Sequence, residues 1–260
     1  MSTPTSAPDR ANPETSGHSV IRRVRHELVL RDLAVVSTER ISDGLHAIKV
    51  GGPALARFTS LSFDDHVKLF FDDAKGQAQR RDYTPVGFDE NRNELTLIFA
   101  VHDGGAASDW ALRLQPGDAV KIGGPRGSMI IPENLGWYLL AGDLTAWPAM
   151  ERRLQELPEG TPTVVILQSK DASDLAALPQ RPNMVARHVR TGSDMLQAAR
   201  ELPLPSDEAS GNGFAWCAGE AGTMAKLREV LINERGLPRT HVKASAYWKP
   251  GAEGFHETLS

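Results

Sequence analysis

The feature that most constrains this chain is a change of rhythm near residue 133. Before it, short β-rich runs alternate with turn chemistry. "LHAIKV" (45–50), "HVKLFF" (66–71), "ELTLIFAV" (94–101) and "DAVKIGG" (118–124) read as strands. "SDG", "GGP", "DENRNE" and "QPGD" punctuate them. Many short strands with such turns predict an antiparallel barrel. One short helix is predicted at 107–114, with Ser108 as its N-cap. After residue 133, strand alternates with helix. "GWYLLAG" (136–142), "TVVILQ" (163–168), "NMVARHV" (183–189), "GFAWCAG" (213–219) and "HVKASAYW" (241–248) are strands. Helices are predicted at 143–157, with Pro148 in its first turns, and at 220–236, stopped by Gly236. In the second helix Met224, Leu227, Val230 and Leu231 recur at helical spacing. Such alternation builds a parallel sheet. The expected layout is a disordered tail over 1–19, a β-barrel over 20–132 and an α/β domain over 133–260.

The 260 residues leave room for one large or two ordinary domains. A net charge of −4 points away from nucleic acid and from a membrane surface, so any anion site must be a local cluster. The single cysteine, Cys217, forms no internal disulfide and fits a reducing cytoplasm. His66, His102 and His188 are too scattered for metal-ligand spacing, so no metal site is expected. No apolar run reaches the ~18 residues of a membrane span. The first 19 residues, rich in Ser, Thr and Pro, lack the apolar stretch of a secretory signal. A cytoplasmic monomer is expected.

Three stretches carry chemistry. In "RRDYTPVGF" (80–88), Arg81 and Tyr83 fall on one face of a strand. An arginine and an aromatic ring so placed suit the diphosphate and flat ring of a flavin dinucleotide, and Thr84 offers a hydroxyl. In "VHDGGAASDWA" (101–111), small residues Gly104 to Ser108 let the backbone approach an anion at a helix start. In "GGPRGS" (123–128), a stiff turn projects Arg126. Taken singly, these are equally a surface arginine beside a half-buried tyrosine, a Gly-rich loop and a plain turn. The signal lies in the set.

"DDHVKLFF", "RDYTP", "HDGGAASDWA", "PGDAVKIGGPRGS", "AGDLTAWPA", "AWCAGE" and "AYWKPG" occur in this order. The series resembles the siderophore-interacting proteins, flavin-dependent ferric-siderophore reductases of the ferredoxin-reductase-like superfamily, and above all their NADPH-dependent ferric-chelate reductase branch. The resemblance covers about residues 20–250. It implies a six-stranded antiparallel FAD-binding barrel followed by a parallel-sheet NAD(P)H-binding domain. By resemblance Arg81 neutralises the FAD diphosphate, Tyr83 packs on the isoalloxazine and Thr84 reaches its N5 region. His102, Ala107, Ser108 and Trp110 flank the cofactor. Asp143, Thr145 and Ala146, with Gly219 and Glu220 opposite, border the nicotinamide. Strand ends of an open parallel sheet are where such ligands sit. Two positions depart from the family pattern. Val86 stands where many members carry a second arginine, and Trp147 where many carry leucine.

Ser169 and Lys170 follow the second strand of the α/β domain, where a basic residue accommodates a 2′-phosphate, so NADPH is expected over NADH. An exposed loop lysine beside Asp171 is the other reading. Lys68, Arg126 and Lys249 are candidates for a basic pocket that takes the anionic ferric siderophore; each is otherwise an ordinary surface cation. Rival functions are a flavoprotein that passes electrons to a protein such as ferredoxin, a flavin- or quinone-directed reductase, and a non-catalytic siderophore carrier.

Overall fold

The computed structural model describes residues 21–102, 104–205, 212–252 and 257–259, so the expected tail over 1–19 lies outside them. The first half contains β1 (Arg22–Arg25), β2 (Leu30–Ser42), β3 (Leu45–Gly51), β4 (Val67–Asp72), β5 (Ala78–Tyr83), β6 (Pro85–Asp89), β7 (Glu94–Ala100), helix α1 (Ala106–Arg113), β8 (Ala119–Gly123) and β9 (Gly127–Ile130). Seven of these strands form one antiparallel sheet in the order β5-β4-β8-β2-β3-β7-β6, and β1 pairs separately with β9. The two edge strands, β5 and β6, are successive pieces of chain with only Thr84 between them. The sheet therefore curls until its edges meet through one residue. Pro85 has no N–H to donate and marks the break. Counting β5 and β6 as one bent strand gives the six expected from the resemblance.

Alternation explains the curl's filling. On β4, Val67, Leu69 and Phe71 are buried, whereas Lys68 and Phe70 are half-exposed and Asp72 is exposed. On β2, Leu33 and Val35 point inward between exposed neighbours. The inward rows pack with Ile48, Val50, Leu95, Leu97 and Phe99 as one apolar core.

The second half contains β10 (Trp137–Asp143), α2 (Trp147–Glu156), β11 (Thr163–Gln168), α3 (Ser173–Ala176), β12 (Met184–Val189), α4 (Gly192–Glu201), β13 (Gly213–Glu220), α5 (Ala221–Glu229), β14 (Val242–Trp248) and β15 (Glu257–Leu259). Their sheet runs β12-β11-β10-β13-β14-β15, parallel except for the last pair. Strands buried on both faces are continuously apolar. On β10, Tyr138 and Leu140 face one cluster while Trp137, Leu139 and Ala141 face the other. A π-helical turn, Val230–Glu234, continues α5, and the chain then turns at Gly236 with φ of 72°.

The two halves share a core. Leu45, Phe63, Val86, Ile98 and Ile131 pack with Tyr138, Leu140 and Trp147. Val86, the residue in place of a family arginine, is thus buried at the junction. The Trp147 indole donates to the Asp174 carbonyl at 2.8 Å, which anchors its bulk inside the same junction.

Candidate functional site

The barrel side of the site is built on β5 and α1. The register pairs Leu69 with Arg81 and Val67 with Tyr83, so both site residues lie on the sheet face that carries the inward row. The Tyr83 ring packs on Phe99 with centroids 4.2 Å apart. Burial pushes its hydroxyl well above the ordinary tyrosine range, so it stays protonated, and the nearby Arg81 charge offsets this only in part. Arg81 is half-buried and donates to the Arg80 carbonyl at 2.9 Å. Thr84 is buried at the strand break. Trp110 stands 5.2 Å from Phe71 and 6.1 Å from Phe99, so Tyr83, Phe99, Trp110 and Phe71 form a continuous aromatic line. The β4–β8 ladder ends at Phe70 and Lys121. Beyond it Trp110 lines a groove of about 460 Å³ with Phe70, Phe71 and Lys121.

The start of α1 departs from expectation. Gly105, not Ser108, is the N-cap, and no side chain caps the first turn. Ser108 lies inside the helix. Its buried hydroxyl donates to the Ala100 carbonyl at 3.1 Å and accepts from the His102 amide at 3.3 Å. The serine thus pins the helix to the end of β7, and backbone geometry supplies the cap. Gly104 adopts φ of 71° with open space where a side chain would stand. His102 is exposed and Ala107 half-exposed; Asp103 lies outside the described residues. A first turn without a side-chain cap and a left-handed glycine facing open space fit an anion such as a diphosphate. The aromatic line fits the flat ring of a flavin.

The opposite side is the carboxyl edge of the parallel sheet. Here Asp143, at the end of β10, collects four donors. Oδ1 accepts from the Thr145 amide at 2.9 Å and its hydroxyl at 2.5 Å. Oδ2 accepts from the Glu220 amide at 3.0 Å and the Trp248 indole at 2.8 Å. Burial raises the Asp143 carboxyl, and these bonds offset the rise only in part. Gly219 has φ of 150°, and a Cβ on it would fall 2.6 Å from Asp143 Oδ2. Burial also raises the Glu220 carboxyl, but bonds from the Gly222 and Thr223 amides, both 2.7 Å, outweigh it and hold the group below its usual value. Glu220 is therefore the N-cap of α5, and Ala146 is the buried N-cap of α2. The structure brings Asp143, Thr145, Ala146, Gly219 and Glu220 together. Trp248, with 41% of its surface exposed, joins them from 105 positions away, which no local motif signals.

At the end of β11, Lys170 is exposed and Ser169 buried. The Ser169 hydroxyl donates to the Asp171 carbonyl at 2.7 Å and lies 3.0 Å from His188 Nε2. The Ser169 amide donates to the Val189 carbonyl, which aligns the end of β12 alongside. Bonds from Ser173 hold the Asp171 carboxyl low, and the His188 and Arg190 charges add to this. Sequence reasoning missed His188 and Arg190. The signal was "RHVR" (187–190), at the end of the strand beside Lys170.

Of the three candidate substrate cations, the register sets Lys68 opposite Gly123, three positions before the exposed Arg126. Lys68 pairs with Asp82 at 2.6 Å. Lys249 is exposed on the other half of the molecule, immediately after Trp248.

The family profile for siderophore-interacting proteins matches residues 135–251, and that for the siderophore-interacting FAD-binding domain matches 34–80 and 73–129. The NADPH-dependent ferric-chelate reductase of Escherichia coli is 35% identical over 87% of this chain and 96% of its own. The chain belongs to the siderophore-interacting protein family. A second family relative, the ferric vibriobactin reductase ViuB of Vibrio cholerae, is 29% identical over 87% of this chain and 93% of its own. A siderophore utilization protein from T. fusca superposes with a TM-score of 0.77 at 30% identity, covering 90% of this chain and 98% of that one. This siderophore-interacting protein has the ferredoxin-reductase-like fold, with an FAD-binding barrel and a mostly parallel second sheet. Among the described residues no helix is long and apolar enough to cross a membrane.

Proposed function

We propose that this siderophore-interacting protein is a cytoplasmic, monomeric oxidoreductase that uses NADPH and FAD to reduce ferric siderophores. The observation that carries the reading is 35% identity to a ferric-chelate reductase over 87% of this chain, on a barrel half that offers Arg81, Tyr83, Trp110 and an α1 first turn without a side-chain cap. Arg81 and the α1 amides hold the diphosphate, with His102, Ala107 and Ser108 shaping the turn. Tyr83 and Trp110 give the flat ring an apolar bed, and Thr84 presents a hydroxyl at its edge. Asp143, Thr145, Ala146, Gly219 and Glu220 fix the strand ends against which a nicotinamide is oriented. Lys170, joined by His188 and Arg190, receives the 2′-phosphate. Lys68, Arg126 and Lys249 attract the anionic chelate. Bound FAD supplies the conversion of a two-electron donor into one-electron transfers. The iron is substrate, and as Fe(II) it is held far less tightly by hard-oxygen chelators.

Purified protein loaded with FAD should be yellow, bleach with NADPH without oxygen, and yield ferrous iron to a colorimetric trap when given a ferric siderophore. Turnover with NADPH should exceed that with NADH. A preparation that refuses FAD overturns the flavin site. One that bleaches and reduces ferredoxin, but no ferric chelate, supports electron delivery to a protein instead.

A further inference from the structure

Thr84 stands between two strands and outside both ladders. The β5 register ends at Tyr83, opposite Val67. The β6 register begins at Pro85 and shifts before Gly87. Pro85 has no N–H with which to tie the bend down. Sheet pairing therefore leaves the bend that carries Thr84 to be fixed from elsewhere, and Arg152 reaches it from the other half of the molecule. Arg152 Nη1 donates to the Pro85 carbonyl at 2.9 Å and to the Ser60 hydroxyl at 2.7 Å. Nη2 donates to the Ser60 carbonyl at 3.0 Å, and Nε donates to Glu156 at 2.7 Å. Four of the five guanidinium N–H groups are thus committed, in a planar fork that lysine does not offer. Ser60 is itself held. Its hydroxyl donates at 2.9 Å to Asp65 Oδ2, which also accepts from the Ser128 hydroxyl at 2.6 Å and the Ser62 amide at 3.2 Å.

Arg152 rides on α2, whose N-cap Ala146 donates its amide to the Asp143 carbonyl at 2.9 Å. One rigid helix therefore touches the strand end proposed for the nicotinamide and, less than two turns later, the bend proposed for the flavin edge. Cohesion of the halves has other sources. The adjacent Arg153 is almost fully buried, donates to the Ile131 carbonyl at 3.2 Å, and lies 4.8 Å from the Phe63 ring and 4.6 Å from that of Tyr138. Building on the proposed function, we infer that Arg152 is a positioning residue for hydride transfer. Acting through Pro85, it holds the Thr84 hydroxyl at the flavin edge and keeps that edge in register with the nicotinamide side. A misplacement of about 1 Å in such an arrangement costs about 100-fold in rate.

Bleaching of the FAD-loaded protein by saturating NADPH, followed by stopped flow without oxygen, reads the step in which NADPH loses a hydride to become NADP+ and the flavin gains it. Arg152→Met should slow this step roughly 10- to 100-fold while FAD affinity stays within about threefold. Arg152→Lys, which keeps the charge but not the fork, should fall between Arg152→Met and the wild type. Thr84→Val should also be slow, and the double variant should bleach no slower than the slower single one, because both changes break one arrangement. Arg153→Lys is the structural control, with a lowered melting temperature and bleaching within about threefold of wild type. Before NADPH is added, Arg152→Met and Thr84→Val should shift the flavin absorption band alike. Wild-type bleaching in Arg152→Met, losses that multiply in the double variant, or equal slowing in Arg153→Lys overturns the inference. If Arg152→Met does not fold, Arg152→Lys bleaching at the wild-type rate overturns it. A wild-type chain that bleaches but reduces no ferric chelate overturns the proposed function and leaves the inference standing. One that takes FAD and does not bleach also overturns the proposed function. The absorption band then decides the inference, which a shift shared by Arg152→Met and Thr84→Val supports and an unshifted Arg152→Met overturns.

Discussion

Strand alternation places Arg81 and Tyr83 on one sheet face, but burial treats them differently. The tyrosine is wedged on Phe99, whereas the arginine is only partly buried at the strand's end. A guanidinium on a diphosphate makes charge-assisted bonds worth about 1.5–3 kcal/mol each. Arg81→Ala should therefore weaken FAD binding about 10- to 100-fold with little change in melting temperature, as measured by titrating the apoprotein with FAD. Unchanged affinity would remove Arg81 from the site. Glu151 tells a different story. Its Oε2 is buried without a hydrogen-bond partner among the described residues. Burial pushes its carboxyl from 4.5 to about 7. The folded chain then holds a proton that the unfolded chain has lost between those values. Stability from this group is complete below about 4.5 and is lost as pH rises through about 7. Glu151→Gln should stabilise by about 1–2 kcal/mol near pH 8, allowing for solvent screening, and by nothing near pH 4. Thermal melts at both pH values check this, and an equal gain at both would contradict it.

Among the elements, some were legible because their burial is total. β11 is observed over Thr163–Gln168, as its apolar run predicts, because a strand covered on both faces has no polar positions to blur its limits. β2 escaped notice although it is 13 residues long. Its inward row includes Arg31, its outer row mixes Leu30, Ala34 and Val36 with Asp32, and the alternation dissolves toward Ser42. The α1 cap was misplaced because Ser108 has the right chemistry for a cap, but a left-handed turn at Gly104, four positions earlier, starts the helix at Ala106. In the same way Arg81, Tyr83 and Thr84 were readable as a candidate set because they are neighbours in sequence. Trp248 and Arg190 were not, since only the parallel sheet brings their strand ends beside Asp143 and Lys170. That dependence makes the strand-end cluster testable as a unit. Gly219→Ala must hold φ of 150° and intrude on Asp143 Oδ2, the acceptor shared by the Glu220 amide and Trp248 indole. Roughly 2 kcal/mol of destabilisation is expected, along with a raised KM for NADPH and a shift in Trp248 fluorescence. Wild-type values for all three would mean that the cluster tolerates a side chain there.

Across the whole molecule, the two sheets are joined by polar bonds as well as by the shared core. Arg152 of α2 donates to the Ser60 hydroxyl at 2.7 Å and the Pro85 carbonyl at 2.9 Å, next to Thr84. Before β4, Asp64 pairs with Lys243 and accepts from the Tyr247 hydroxyl at 2.9 Å, both residues of β14. Asp64 and Lys243 are almost fully buried. Desolvation makes such a pair a poor source of net stability, yet losing one partner strands the other charge. Asp64→Ala should thus cost about 3–5 kcal/mol, and adding Lys243→Met should recover most of it. The pair also bears on cooperativity. In the native chain a continuous core makes the halves unfold together, so circular dichroism and tryptophan fluorescence should trace one urea transition. In Asp64→Ala the stranded ammonium sits at the junction itself, and relief comes from parting the halves. The two probes should then diverge, with fluorescence, dominated by the four tryptophans after residue 133, following the α/β half. Coincident transitions at a lowered midpoint would show that the apolar core alone couples the halves. Divergence repaired by Lys243→Met would show that the buried charge pair sets how firmly the flavin side is held against the nicotinamide side.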